Sequence, residues 1–352
     1  MNNFIVISNI VVCLVVLLSV KSGYENRSLN QENQFHTESF FVYTPQDVSE
    51  RIIVEELKPV NTKNISQEHN IYHSYLMAAN SEYLTINDPV NKNFTQFDSE
   101  LRLVRTFGSE GNGPGEFRYP MSISTDTDGN FWFLDDGLKK ITVRSSKGRL
   151  INEFPTPSGL RLHRLSYLGS DKFVLFSLFS EESLHIIDEN GRVLSALLNV
   201  RDLFGVRRGF LLDGSITSKD GIIYYSGIKN DLLKAYTSEG ELLYSREIIA
   251  PLKLDLFNME PHELRTRDGA TKDMILFDDK LLLIHLGMED EEFYRRYLDI
   301  YDRNTGNYLK TYLTSHPVDA ISIQNNSEPR LIVLGHDPVS SDIMLSTYDL
   351  PF

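Results

Sequence analysis

Apolar and polar side chains alternate in short runs along most of the chain, and six of these runs end in the same way. They read FTQFDSEL (94–101), ITVRSSKGRL (141–150), LHIIDENGRV (184–193), LKAYTSEGEL (233–242), LDIYDRNTGNYL (298–309) and LSTYDL (345–350). Alternation at a period of two turns one face of a strand to a core. A polar turn then reverses the chain, and glycine supplies the positive φ that such a turn needs. The copies recur at intervals of roughly 40 to 60 residues, which is the spacing of propeller blades.

The stretch from Phe107 to Phe154 contains a complete unit. A glycine-rich corner (Gly108, Gly111, Gly113, Gly115) leads to Pro120, and runs at 121–125, 130–134, 139–144 and 149–154 are separated by tight turns. Four short strands so joined make one antiparallel blade. The same reading places blade one at about 71–107, blade three at 164–198, blade four at 215–248, blade five at 272–313 and blade six at 320–348. The predicted fold is all-β, a six-bladed β-propeller of four-stranded antiparallel blades. Blade six runs out of chain, because only Asp349–Phe352 follow Tyr348. An N-terminal strand is therefore expected to complete it and close the ring. The apolar segment Arg51–Leu57 is the first candidate and Phe40–Tyr43 the second.

Phe4–Val20 is nearly continuous apolar sequence, so residues 1–22 read as a signal peptide or N-terminal anchor. Residues 23–38, rich in Asn, Gln and Glu, read as a flexible linker, and 39–352 as the propeller. The expected location is outside the cytoplasm, in the periplasm or cell envelope, with membrane attachment if the leader is retained. Cys13 is the single cysteine and follows Val11-Val12, which does not suit lipidation; the remainder can form neither a disulfide nor a cysteine-based zinc site. A net charge of −14 argues against nucleic acid as a partner.

The corner GSEGNGPGEFRYP followed, after Met121, by SISTDTDGNFWFLDD resembles NHL-type and TolB-like six-bladed propellers, and most of all the exported kind found in Bacteroidota. The motif itself is confined to blade two. The resemblance implies fold and compartment more than chemistry. Amidating lyases among these relatives bind zinc in the central channel through a Pro-His-Gly; here the sequence is Pro120-Met121-Ser122, and that ligand is missing.

No nucleophile elbow, P-loop or EF-hand loop is present. Asp126, Asp128, Asp135 and Asp136 flank turns and are read as turn residues. The acidic run Glu289–Glu292 is read as a solvated loop. No metal site is assigned and no cofactor is predicted, although His163, His262, His316 and His336 sit at loops or strand entries from which a propeller could gather them. The links between blades, together with those between second and third strands, share the face that usually carries a ligand. In this acidic chain they hold arginines: Arg118, Arg161, Arg164, Arg207, Arg208, Arg265 and Arg267, with Tyr119, form the candidate ligand-binding set, and Arg201, Arg295 and Arg296 lie on the same face. Guanidinium groups suit carboxylate, sulfate or phosphate. Long links at 199–214 and 250–270 are expected to form a rim or lid. The sequence thus reads as an exported, non-catalytic propeller that binds an envelope protein, peptide or anionic glycan on its loop face. The alternative is a metal-dependent lyase or hydrolase with its site in the channel.

Overall fold

The computed structural model describes residues 44–204, 209–251, 269–286 and 293–350. Residues 1–22 and 23–38, expected to be leader and linker, lie outside the described residues, as do Phe40–Tyr43 and Glu289–Glu292. The six turn-ending runs are, without exception, third strands: Asn93–Phe97, Lys140–Arg144, Glu182–Asp188, Leu232–Thr237, Tyr297–Asp302 and Ile343–Asp349. Like the second strands, they are buried along most of their length, because both faces pack against a neighbouring blade. Each sits in an antiparallel sheet, and six such sheets form the blades of a β-propeller. The inner strands are Met77–Ala79, Pro120–Thr125, Arg161–Gly169, Gly214–Lys219, Thr271–Phe277 and Val318–Gln324.

The core is divided accordingly into six apolar clusters, one at each junction between successive blades. Between blades one and two, Phe94 lies 4.5 Å from Phe133 and 4.7 Å from Phe117, ring centre to ring centre. Phe117 belongs to the glycine-rich corner, which is therefore a docking piece between blades. Arg144 fixes it from below, donating to the carbonyls of Gly115 and Gly148.

The turn after each third strand explains the glycine pattern. Gly148, Gly191, Gly240 and Gly306 all have positive φ, between 68° and 96°. Blade one puts Leu101 in this position, at φ 57°, and buries its side chain to 1 % exposure in the junction with blade six. Burial of an isobutyl group there offsets the left-handed backbone.

Ring closure is by an N-terminal strand, but not the one expected. Asn61–Asn64 (β2) pairs antiparallel with the third strand of blade six, Asn61 opposite Thr347 and Asn64 opposite Met344, and supplies the missing outer strand. Arg51–Leu57 belongs to blade five: Ile53–Glu56 (β1) adds in parallel to its outer strand Tyr308–Leu313, making a sheet of five strands. The physical reason is that an outer strand is held by its backbone and faces water. The polar Asn-Thr-Lys-Asn satisfies that as well as an apolar run would. Of the apolar run itself, Ile52, Ile53 and Val54 stay about half exposed and only Leu57 enters the core.

The described chain begins as a strap across three blades. Thr44 bridges to the outer strand of blade four, accepting from Glu247 and donating to Ser245. Gln46 then bonds Glu247 and Gly306 through its amide nitrogen and accepts from Tyr308 N. β1 and β2 continue onto blades five and six. Asp126 and Asp135 behave as turn residues: Asp135 is fully buried and accepts from the amides of Arg118, Tyr119 and Leu138.

Candidate functional site

A channel runs down the propeller axis, with a volume of about 1160 Å³. Its walls are the six inner strands. Short hydroxyl side chains tie these strands to one another: Ser122 accepts from Leu165 N, Ser124 from Tyr167 N, Ser322 from Ala79 N, and Ser218 donates to the Tyr167 carbonyl and pairs with the Ser166 hydroxyl. Unlike strands within one blade, adjacent inner strands do not form a ladder, so these side chains take up backbone groups that would otherwise face the channel.

Charged side chains line both ends of the channel, Lys172, Lys219, Asp220 and Asp278 at one and a second group at the loop-face end, where inner strands begin. Three cations converge there. Arg164, on the inner strand of blade three, donates through Nε to the Gly214 carbonyl at 3.2 Å, and its terminal nitrogens make no hydrogen bond among the described residues. Lys272 enters from blade five. Arg295, in the link between second and third strands of that blade, reaches Asp319 at 2.9 Å. Two carboxylates stand among them. Asp319, at the start of the blade-six inner strand, also accepts from His336 Nδ1 at 3.2 Å. Asp273 bridges three blades, accepting from Ser215 Oγ, Met274 N and Ile321 N.

Lys272 is the unusual member. Its side chain is 28 % exposed, its ammonium makes no hydrogen bond among the described residues, and its nearest counter-charge is Asp319 at 3.9 Å. Burial, and then Arg295 and Arg164, push its pKa below the ordinary lysine value. Burial raises Asp273. It also works against charge on Asp319, but His336, Lys272 and Arg295 outweigh it and hold that carboxyl below its usual range.

The arginine set is divided by this geometry. Arg164 lies in the channel. Arg118 and Tyr119 are exposed on the rim, where their backbone N–H groups donate to Asp135 and the Tyr119 carbonyl accepts from Asp136 N. Arg161 is exposed and lies over the Phe179 ring at 5.8 Å. Arg207, Arg208, Arg265 and Arg267 lie outside the described residues. Arg296 is structural: it holds β1 through Glu56 at 2.8 Å. The link at 199–214 carries two short helices, Val200–Phe204 and Gly209–Leu212, whereas most of 250–270 lies outside the described residues.

The histidines gather only in part. His336 stands on Asp319, and burial, followed by His336, lowers the pKa of His316. His163 is on the Arg164 side, near Asp213 and Asp136, and burial lowers its pKa. His262 lies outside the described residues. Among the described residues no three His, Cys, Asp or Glu side chains are grouped as metal ligands, and no helix is long and apolar enough to cross a membrane.

No family model and no curated protein matches the sequence. Solved structures do match, at the level of fold. An exported protein from Bacteroides fragilis superposes with a TM-score of 0.56 at 12 % identity, over 85 % of this chain and 99 % of that one. A luciferin-regenerating enzyme gives 0.54 at 11 % identity, over 84 % and 96 % of the two chains. The WD40 repeats of RRP9 give 0.52 at 9 % identity, over 83 % and 100 %. A WD40 repeat domain and a luciferin-regenerating enzyme are thus both similar to this chain at the level of fold, and the site has to be argued from its own residues.

Proposed function

We propose that the protein is an exported propeller, of the TolB-like or NHL-type kind, that receives the anionic end of an envelope ligand at the loop-face end of its channel. The single observation that carries this reading is the Lys272 ammonium, largely shielded between Arg164 and Arg295 and without a hydrogen bond. A shielded charge that makes no hydrogen bond and has its nearest carboxylate at 3.9 Å is poorly compensated. Three cations facing two carboxylates leave room for one more anion, and the free terminal nitrogens of Arg164 offer it a planar fork. The group is a carboxylate, sulfate or phosphate on a slender ligand such as a glycan or peptide end, because a broad protein surface could not follow the channel to Lys272. The apolar leader Phe4–Val20 and the fold shared with an exported Bacteroides protein support the export reading.

Thermal unfolding of the full chain in sulfate and in chloride, at matched ionic strength, tests the site. Sulfate should raise Tm by a few degrees, since a ligand bound only by the folded state stabilises it. Arg164→Met should abolish the difference. Equal Tm values in the two salts would defeat the reading.

A further inference from the structure

We propose that Lys272 captures the carbonyl group of a 2-oxo acid as a reversible imine, with Arg164 and Arg295 holding the adjacent carboxylate. This rests on the anion-binding reading above and deepens it by naming a ligand class and a covalent step.

An amine that condenses with a carbonyl needs access, a neutral form, a place for the substrate's charge and a proton carrier. The channel supplies access, because Lys272 lines it. Cationic neighbours and missing hydrogen bonds both favour the neutral amine. The group that usually stabilises a lysine's charge, a close carboxylate, stands off at 3.9 Å. Burial, Arg295 and Arg164 act in the same direction, as they do for activated lysine nucleophiles generally. The two guanidinium groups that disfavour the ammonium are also the anchors for a carboxylate one carbon away from the reacting carbonyl. Asp319 and the His336 imidazole bonded to it, at 3.2 Å, are the proton carriers beside the amine.

The step balances without an oxidant or a further reactant. The Lys272 Nζ lone pair attacks the carbonyl carbon, the C–N bond forms, and the former carbonyl oxygen takes a proton to give a carbinolamine. That hydroxyl then leaves with a second proton as one water, and the C=N bond is completed. Hydrolysis reverses both stages and returns the oxo acid.

The test uses the full chain, pyruvate as probe and cyanoborohydride to reduce any imine. The expected result is a mass gain of one reduced pyruvate, mapped to the Lys272 peptide. Lys272→Arg cannot form the imine and should lose the adduct. Arg164→Met should lower the adduct yield by about tenfold, the loss of a charge-assisted contact. No adduct, or adducts on surface lysines that persist in Lys272→Arg, would overturn the proposal. Sulfate stabilisation without an adduct would overturn the imine and leave the anion site standing, so the two failures are distinguishable.

Discussion

Arg51 and Asp299 meet 3.2 Å apart beneath the N-terminal strap, with side chains only 8 % and 1 % exposed. The guanidinium also lies over the Tyr297 ring at 4.4 Å, and Thr311 donates to the carboxylate. Burial raises the Asp299 pKa, and Arg51 and Thr311 oppose that. Removing one partner would strand a buried charge. Arg51→Met should therefore cost about 3–5 kcal/mol in urea unfolding. Adding Asp299→Asn should recover a substantial part of the loss. A cost within error of zero for the single variant would mean that the strap is not anchored here.

The two N-terminal strands have different duties, and truncation separates them. Deletion through Lys58 removes β1 but leaves β2 to close blade six. Made with Asp299→Asn, that protein should remain β-rich and monomeric with a lowered Tm. Deletion through Asn64 opens the ring and should unfold or aggregate. Circular dichroism and size-exclusion chromatography distinguish the two. Equal behaviour of both truncations would contradict the assignment of ring closure to β2.

Leu101 is the place to weigh turn strain against packing. Glycine would remove a left-handed penalty of about 1–2 kcal/mol. It would also empty a fully buried site, at about 2–5 kcal/mol for truncation of a leucine. Leu101→Gly should thus be destabilising in denaturant unfolding, despite matching the glycine of the other turns. A stabilised variant would show that packing between blades one and six is looser than described.

His316 sets a pH dependence. Burial, then His336 and Arg296, lower its pKa from 6.5 to about 4. The folded state therefore favours the neutral ring, and the unfolded chain takes up the proton first as pH falls. Stability is lost between about pH 6.5 and 4, by at most about 3 kcal/mol from this group. Urea unfolding at pH 7 and pH 5 should show the loss, and His316→Asn should flatten it. An unchanged slope in the variant would place the pH dependence elsewhere.

The fold was legible where burial is two-sided. Third strands such as Tyr297–Asp302 carry apolar side chains on both faces, and the turns that follow mostly require glycine. Ring closure was less legible, because Asn61–Asn64 is held through backbone pairing and leaves no hydrophobic signature. At the site, Arg164 was visible as a cation at a strand entry. Lys272, Asp273 and Asp319 were not legible from the links, because they occupy the first residues of inner strands, which also look into the channel. A signal was present: blades two and four carry Ser122 and Ser215 on their inner strands, whereas blade five presents the charged pair Lys272-Asp273. Arg118 and Arg161 share the composition that marked Arg164, but Arg118 precedes its inner strand and Arg161 is the first residue of its own, which leaves both on the rim.

The most direct measurement is anomalous diffraction from crystals of the protein soaked in selenate, a tetrahedral dianion that reports its own position. The account predicts a selenium peak at the loop-face end of the channel, within hydrogen-bonding reach of Arg164 and Lys272, that is absent in Arg164→Met. Peaks confined to the outer surface, with the channel open to solvent and empty, would contradict it.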